Sequence, residues 1–183
     1  MKIIGITGTL GAGKGTIVEF LKEKGFRHFS ARDFLVKEIK KRGLEVNRDS
    51  MTMVGNDLRE KNKPSYIIDE LYGEAKKGTQ NCVIESIRTA GEVESLRKKG
   101  AFTLLAVDAD QKTRYERIIK RDSATDKISF EKFQSDEERE MESEDPNKQN
   151  LLACRRLADF VIFNNGTMEE LREKVEEVLD KID

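Results

Sequence analysis

Five short segments of the chain have the pattern of buried strands, and between them apolar residues recur at helical spacing. The predicted strands cover residues 2–7, 26–29, 82–84, 102–107 and 158–163. Short apolar runs are typical of parallel strands that are covered on both faces. The alternation of strands and helices predicts an α/β fold, a five-stranded parallel sheet with helices on both faces. Ligands of such sheets bind beyond the carboxyl ends of the strands.

Two segments depart from this alternation. Residues 32–78 have apolar positions at helical spacing and no predicted strand, which indicates a helical insertion. Residues 121–150 are poor in apolar side chains and strongly acidic, which indicates a mobile lid, and we interpret the acidic run 131–145 as a solvated face. We expect a single domain, 1–183, whose core comprises the remaining residues, 1–31, 79–120 and 151–183.

A glycine-rich loop follows the first strand directly and leads into the first helix. It reads Gly-Thr-Leu-Gly-Ala-Gly-Lys-Gly-Thr over residues 8–16. Its four glycines allow positive φ and can turn successive N–H groups toward an anion at the N-terminus of the helix. This context predicts a phosphate-binding loop rather than an ordinary glycine-rich turn, formed by Gly8, Gly11, Ala12, Gly13, Lys14, Gly15 and Thr16. Lys14 adds a full positive charge, and the hydroxyl of Thr16 suits Mg²⁺.

The composition narrows the class of partner. Charged residues make up 38% of the chain, but the formal net charge is only −1, so nucleic acid is not an expected partner. Cys82 and Cys154 lie far apart, which indicates neither a disulfide framework nor a zinc site. No apolar run approaches the roughly 20 residues of a membrane span and no signal peptide is evident, so we expect a cytoplasmic protein without a membrane partner. The sequence does not indicate an oligomeric state.

Arginines and carboxylates follow two of the predicted strands. Phosphoryl transfer requires positioning and positive charge around the migrating group, and arginines at the sheet edge supply both. Glu85 and Arg88 follow the third strand, whereas Arg114, Arg117 and Arg121 follow the fourth on one face of a helix. The alternatives are a helix-capping role for Glu85 and a solvated, ion-paired stripe for the three arginines of that helix.

The order Gly-x-Gly-Lys-Gly-Thr resembles the loop of nucleoside monophosphate kinases, a branch of the P-loop proteins that includes adenylate kinases. The segment Glu85-Ser86-Ile87-Arg88-Thr89 resembles their Asp-Gly-Phe-Pro-Arg-Thr motif, with Glu85 in the acidic position. The resemblance implies a P-loop NTPase fold and a kinase that uses ATP and Mg²⁺. The roles it implies are catalysis by Lys14, Arg88, Arg117 and Arg121 and a Mg²⁺ site at Thr16 and Glu85. It also implies that Asn164, Asn165 and Gly166 pass beside the adenine of ATP, with Asn165 as the predicted contact, and an ordinary turn is the alternative for these three residues.

The same resemblance implies that the helical insertion 32–78 binds the acceptor. Asp33 occupies the place of the Asp in the Ser-Thr-Gly-Asp segment of these kinases, and Glu92 replaces a Gln that contacts the acceptor base. Where an Arg is expected three residues after Asp33, this chain has Val36, so Arg32 or Arg59 is a candidate replacement. The predicted acceptor-binding residues are Asp33, Arg59, Arg88 and Glu92.

Two relatives are indicated by longer stretches. Asp57-Leu58-Arg59-Glu60, together with residues 84–88 and 92–94, most resembles an uncharacterised family of adenylate-kinase-related proteins, and this resemblance covers nearly the whole chain. Residues 114–122 and 158–167 are similar to dephospho-CoA kinase, in which Asp33 would act as a base toward a ribose hydroxyl.

The sequence therefore predicts an ATP-dependent phosphotransferase. It would move the γ-phosphoryl group to a small phosphate-bearing acceptor, with a nucleoside monophosphate favoured. Dephospho-CoA kinase is the alternative enzyme. A nucleotide-hydrolysing regulatory switch is the alternative from another class, although Asn62-Lys63-Pro64-Ser65 lacks the Asp of a guanine-binding signature.

Overall fold

The computed structural model describes residues 1–121 and 128–182. Its strands are β1 (Ile3–Gly8), β2 (Arg27–Ser30), β3 (Cys82–Glu85), β4 (Phe102–Asp108) and β5 (Phe160–Phe163). They form one sheet in the order β2-β3-β1-β4-β5, and every neighbouring pair is parallel. The predicted five-stranded parallel sheet is confirmed, with each predicted strand close to its observed position.

The helices cover most of the remaining described residues. They are α1 (Lys14–Glu23), α2 (Ala31–Lys41), α3 (Arg48–Lys61), α4 (Tyr66–Ala75), α5 (Ala90–Arg97), α6 (Gln111–Arg121), α7 (Phe130–Met141), α8 (Leu151–Arg156) and α9 (Met168–Ile182). Within the described ranges, no helix has the length and apolar character to cross a membrane.

Both faces of the sheet are buried. Successive side chains of a strand point to opposite faces. On one face, Ile4, Ile6 and Val83 pack with α1 and α9, whereas on the other face Ile3 and Ile84 pack with α2, α3, α4, α5 and α8. The predicted placement of helices on both faces is therefore confirmed.

Strand β1 lies at the centre of the sheet, and its neighbours bring the acidic strand ends to the glycine loop. Ile6 of β1 is aligned with Glu85 of β3, and Gly8 is aligned with Val107 of β4. The loop that follows β1 thus emerges between Glu85 and Asp108, the last residues of its two neighbouring strands.

The segment 32–78 is helical, as predicted, and contains most of α2 and all of α3 and α4. Ile67 and Ile68 of α4 are fully buried, and this helix packs on β2, β3 and α5. The last helix of the segment is therefore part of the core. The functional division of the chain into core, insertion and lid stays a prediction.

The segment 121–150 contains α7, while residues 122–127 of the predicted lid lie outside the described residues. Phe133 of α7 is 1% exposed, and its ring centroid lies 5.5 Å from that of Tyr115 in α6. Phe130 lies against the same two rings. Helix α7 therefore has an aromatic anchor on α6, and the mobility of the lid stays a prediction.

Candidate active site

The loop between β1 and α1 has the geometry of an anion-binding turn. Gly8, Gly11 and Gly13 have φ values of +145°, +79° and +109°, whereas the expectation of positive φ is wrong for Gly15, which lies inside α1. A Cβ at Gly8 would collide with the carbonyl oxygen of Val107, so only glycine fits there. No side chain of the described residues caps the start of α1, and its first N–H groups are therefore available to an anion.

Lys14 begins α1 and folds back over the loop. Its Nζ donates hydrogen bonds to the carbonyl oxygens of Gly8 at 2.9 Å and Thr9 at 2.8 Å. Burial and, to a smaller extent, the positive charge of Arg88 lower the pKa of Lys14, the charge of Glu85 opposes them, and the resulting pKa is about 7. An anion near this amino group would favour the charged form, so Lys14 is suited to take up a proton when a phosphate binds.

Glu85 ends β3 beside Lys14. Burial disfavours its ionised form, but the side chain of His28, whose Nε2 lies 3.7 Å from Glu85 Oε2, the hydrogen bond from Ser86 and the charges of Lys14 and Arg88 together outweigh burial and lower the pKa of Glu85 to about 2. Ser86 Oγ donates to Glu85 Oε1 at 2.8 Å, and Ser86 has a φ of +71°, which is costly for a residue with a Cβ. Glu85 is therefore held as an ionised carboxylate at the sheet edge.

These groups line one cavity of about 920 Å³ at the carboxyl edge of the sheet. This volume lies near the upper end of small-molecule sites, about 300–1,000 Å³. Among the described residues, Lys14 and seven arginines on the wall outnumber the acidic residues Glu19, Glu85 and Glu140. The predicted site residues that line it are Gly11, Gly13, Lys14, Gly15, Thr16, Arg59, Glu85, Arg88, Arg117 and Arg121. A basic cavity thus exists in a chain of net charge −1.

The other predicted site residues are not part of the cavity wall: Gly8, Ala12, Asp33, Glu92 and Asn165. Gly8 and Ala12 belong to the loop itself, and Ala12 is buried beneath it. Asp33 is exposed in the first turn of α2. The side chain of Asn165 accepts a hydrogen bond from the backbone N–H of Asp110 at 2.8 Å.

Asn164, and not Asn165, contacts the glycine loop. Its Nδ2 donates to the carbonyl oxygen of Ala12 at 2.8 Å, and the residue is 6% exposed. Its own carbonyl oxygen accepts from Nη1 of Arg117 at 2.9 Å, which fixes this arginine at the cavity wall. The sequence signal for Asn164 is its position directly after β5, at the edge where the other strands also end.

Arg59 and Glu92 form a buried ion pair. Arg59 Nε and Nη2 lie 3.1 and 3.0 Å from Glu92 Oε1, and the residues are 3% and 0% exposed. Glu92 Oε2 accepts from the backbone N–H groups of Arg88 and Thr89, and Thr89 with Glu92 caps α5. The capping alternative for Glu85 is therefore wrong. Contact of Glu92 with an acceptor base stays a prediction.

Arg114 and Asp108 connect the loop with its surroundings. Arg114 is buried, and its Nη1 lies 2.5 Å from Glu137 of α7, so the solvated-stripe alternative is wrong for this arginine. Asp108 accepts a hydrogen bond from Thr9 Oγ1 at 2.8 Å and pairs with Arg155 at 2.9 Å. The pairing of Arg114 and the contacts of Asp108 were not predicted from the sequence.

Helix α7 has two buried carboxylates, and one of them, Glu140, lines the cavity. Asp136 and Glu140 are buried, so the interpretation of residues 131–145 as a solvated face is wrong at these two positions. Glu140 Oε1 lies 2.8 Å from Arg48 Nη2, and Glu140 Oε2 lies 3.3 Å from Arg88 Nη1. Sequence reasoning missed Arg48, Asp136 and Glu140; the available signal is that Asp136 and Glu140 share a helix face with buried Phe133.

Comparisons with known sequences extend over the whole chain. A family model described as an AAA domain matches residues 4–145. A UPF0200 protein of Sulfurisphaera tokodaii is 32% identical over 191 residues, which cover 100% of this chain and 98% of the relative. This chain belongs to the UPF0200 family. Another UPF0200 protein, from Methanocaldococcus jannaschii, is 31% identical, with coverage of 100% of this chain and 91% of the relative.

Solved structures of kinases are similar in fold to this UPF0200 chain. Shikimate kinase from Acinetobacter baumannii matches it with a TM-score of 0.60 at 16% identity, over 99% of this chain and 94% of the kinase. A putative kinase from Chloroflexus aurantiacus matches with a TM-score of 0.59 at 20% identity, over 100% of this chain and 97% of that protein. The predicted P-loop kinase-like fold is therefore confirmed.

Proposed function

We propose that this chain is an ATP-dependent phosphotransferase that moves the γ-phosphoryl group of ATP to a nucleoside monophosphate. The observation that carries the proposal is one cavity whose wall holds both the phosphate-binding loop and a second group of arginines, Arg48, Arg59 and Arg88. Hydrolysis of a nucleotide requires only the first of these. A second basic wall suits a second phosphate-bearing substrate, held in line with the first.

The loop side of the cavity suits the phosphates of ATP. The N–H groups at the start of α1 and the amino group of Lys14 would bind the β- and γ-phosphates. Arg117 is fixed by the carbonyl oxygen of Asn164, and Arg121 lies on the same wall, where planar guanidinium groups suit phosphate oxygens. In this proposal Asn164 supports the loop and Asn165 lies near the adenine.

The other side of the cavity suits the acceptor. Arg88 points into it from a backbone that Glu92 holds, and Leu35 and Met51 add apolar surface from α2 and α3. Such a wall can cover the flat face of a base while the arginine binds the phosphate. The exposed position of Asp33 gives no support to its role as a base, as the dephospho-CoA kinase alternative requires.

Thr16 and Glu85 fit a magnesium ion. Both line the cavity, and the low pKa of Glu85 keeps its carboxylate ionised at neutral pH. Mg²⁺ prefers such hard oxygen ligands and is usually held by one or two side chains together with substrate phosphates and water. When bound, the ion would neutralise charge on the β- and γ-phosphates.

The proposal is tested by assaying phosphate transfer from Mg²⁺-ATP to a panel of nucleoside monophosphates, to dephospho-CoA and to no acceptor. Chromatography of the products separates transfer from hydrolysis. We expect rapid formation of a nucleoside diphosphate from at least one monophosphate and slow hydrolysis without an acceptor. Transfer to dephospho-CoA alone would show that the acceptor is dephospho-CoA and not a nucleoside monophosphate. Slow hydrolysis with no transfer would favour the regulatory switch. The Lys14→Met variant, purified in parallel, controls for contaminating kinases.

A further inference from the structure

Two arginines from separate elements converge on one carboxylate inside the cavity. Arg48 begins α3, and Arg88 follows β3. Arg48 Nη2 lies 2.8 Å from one oxygen of Glu140, and Arg88 Nη1 lies 3.3 Å from the other. All three side chains are mostly buried, at 14%, 20% and 9% exposure. Each oxygen of the carboxylate therefore has its own guanidinium partner.

We propose that Arg48 and Arg88 form the clamp for the phosphate monoester of the acceptor, and that Glu140 is a displaceable occupant of this clamp. The inference rests on the proposed function. A phosphate monoester carries more negative charge than a carboxylate and has three oxygens that accept hydrogen bonds, so it binds two guanidinium groups more strongly. An acceptor without a phosphate has no group that can displace Glu140, and the clamp thereby selects phosphate-bearing acceptors.

The contacts of α7 with the clamp are imperfect, which favours displacement. Arg48 Nε lies 3.2 Å from Asp136 Oδ2, but neither atom makes a hydrogen bond to any described residue. The distance of 3.3 Å between Arg88 and Glu140 exceeds the about 2.7–2.9 Å of a strong charge-assisted hydrogen bond. Helix α7 is also anchored by the ring of Phe133, so release of Glu140 does not require the whole helix to leave.

The position of Glu140 also links the clamp with the loop. Its negative charge raises the pKa of Lys14, whereas the positive charge of Arg88 lowers it. While Glu140 occupies the clamp, it therefore offsets positive charge on the side of the cavity where the phosphoryl group must be stabilised. When the acceptor displaces Glu140, its phosphate takes the place of this carboxylate between the two guanidinium groups.

The clamp can be tested without turnover. The donor site is first saturated with Mg²⁺ and a non-hydrolysable ATP analogue, and inorganic phosphate is then titrated by calorimetry. We expect Glu140→Gln to bind phosphate about tenfold more tightly than the unaltered protein and Arg48→Met to bind it about tenfold more weakly. Glu138→Gln makes the same charge change at an exposed position of α7 and should leave phosphate affinity unchanged.

The double variant Arg48→Met with Glu140→Gln tests whether the gain in phosphate affinity of Glu140→Gln depends on Arg48. It should bind phosphate more tightly than Arg48→Met alone by less than the tenfold gain that Glu140→Gln gives in the unaltered protein, because only Arg88 remains to be released. Equal gains in Glu140→Gln and Glu138→Gln, or a full tenfold gain in the double variant, would overturn the clamp. Arg48→Lys, which keeps the charge without the planar fork, and thermal unfolding of each variant separate clamp loss from misfolding. Failure of the ATP analogue to bind would count against the proposed function, whereas the same variant series titrated with phosphate alone would still test the clamp.

Discussion

The backbone N–H of Arg88 donates a hydrogen bond of 2.6 Å to Oε2 of Glu92, whose other oxygen is paired with Arg59. The arginine that faces the cavity is thus oriented by a buried ion pair behind it. Arg59 lies on α3 and Glu92 lies on α5, so their ion pair links these two helices. Through its second oxygen, Glu92 also holds the segment that follows β3. The geometry of the acceptor side therefore depends on a carboxylate that does not itself line the cavity.

Replacement of Glu92 by Ala should destabilise the fold strongly. It leaves the guanidinium of Arg59 buried without its carboxylate, at a cost of about 3–5 kcal/mol. The free energy of unfolding in urea measures this loss. Asp57→Ala, which removes a more exposed carboxylate paired with Arg42 and Lys61, is the matched control and should cost much less, because water and salt screen an exposed ion pair. Similar losses of unfolding free energy in both variants would show that the buried pair of Arg59 and Glu92 contributes no more to stability than an exposed pair.

Nucleotide binding should take up a proton through Lys14. Its pKa of about 7 leaves the amino group mostly neutral at about pH 8, and bound phosphates favour the charged form. Calorimetric titration with the non-hydrolysable ATP analogue, in buffers of different ionisation enthalpy, should show uptake of up to about one proton at that pH. At about pH 6 the amino group is already mostly charged, so uptake should be small.

The Lys14→Met variant is the control for this proton. It should bind the analogue more weakly and lose the uptake at high pH, while its thermal unfolding shows that it is folded. Proton uptake that is unchanged in the variant would assign the proton to another group. Turnover in a transfer assay should fall by several orders of magnitude, because Lys14 would neutralise the β- and γ-phosphates.

The Glu85→Gln variant should separate metal binding from nucleotide binding. The ionised carboxylate of Glu85 is the proposed ligand of Mg²⁺, directly or through water, and an amide is a weaker ligand. The affinity for the ATP analogue should fall when Mg²⁺ is present and change little when EDTA removes it. Equal losses under both conditions would mean that the substitution disturbs the loop rather than the metal site.

The local features of the site could be predicted from the sequence. The loop between β1 and α1, the acidic end of β3 and the arginines near it follow from strand, turn and helix patterns over short stretches. Gly15 shows the limit of such patterns, because a helix start absorbs it without positive φ. Asn164 and Asn165 differ by one position, and only the direction of the chain after β5 decides which of them meets the loop.

The partners of charged residues could not be predicted in this way. Composition alone makes an acidic helix such as α7 look solvated, since carboxylates are usually exposed. Burial of Phe133 turns one face of α7 inward and brings Asp136 and Glu140 to arginines far away in the sequence. The same is true of Arg59 and Glu92, whose pairing depends on how α3 and α5 both pack against α4.

The backbone at Ser86 should favour glycine over alanine. Its φ of +71° costs a residue with a Cβ about 1–2 kcal/mol relative to an ordinary conformation, and glycine avoids this cost. Ser86→Gly and Ser86→Ala both lose the hydroxyl that donates to Glu85, so their difference isolates the backbone effect. We expect Ser86→Gly to be more stable than Ser86→Ala by about 1 kcal/mol in urea unfolding.

The opposite order should hold at Ser135, which is exposed in the middle of α7. There Ser135→Gly should be less stable than Ser135→Ala by about 1 kcal/mol, because glycine weakens a helix interior. Greater stability of Ser86→Gly than of Ser86→Ala, together with greater stability of Ser135→Ala than of Ser135→Gly, would confirm a strained backbone beside Glu85. If alanine were the more stable replacement at both positions, the left-handed conformation of Ser86 would carry no strain, and its hydroxyl alone would account for any effect on Glu85.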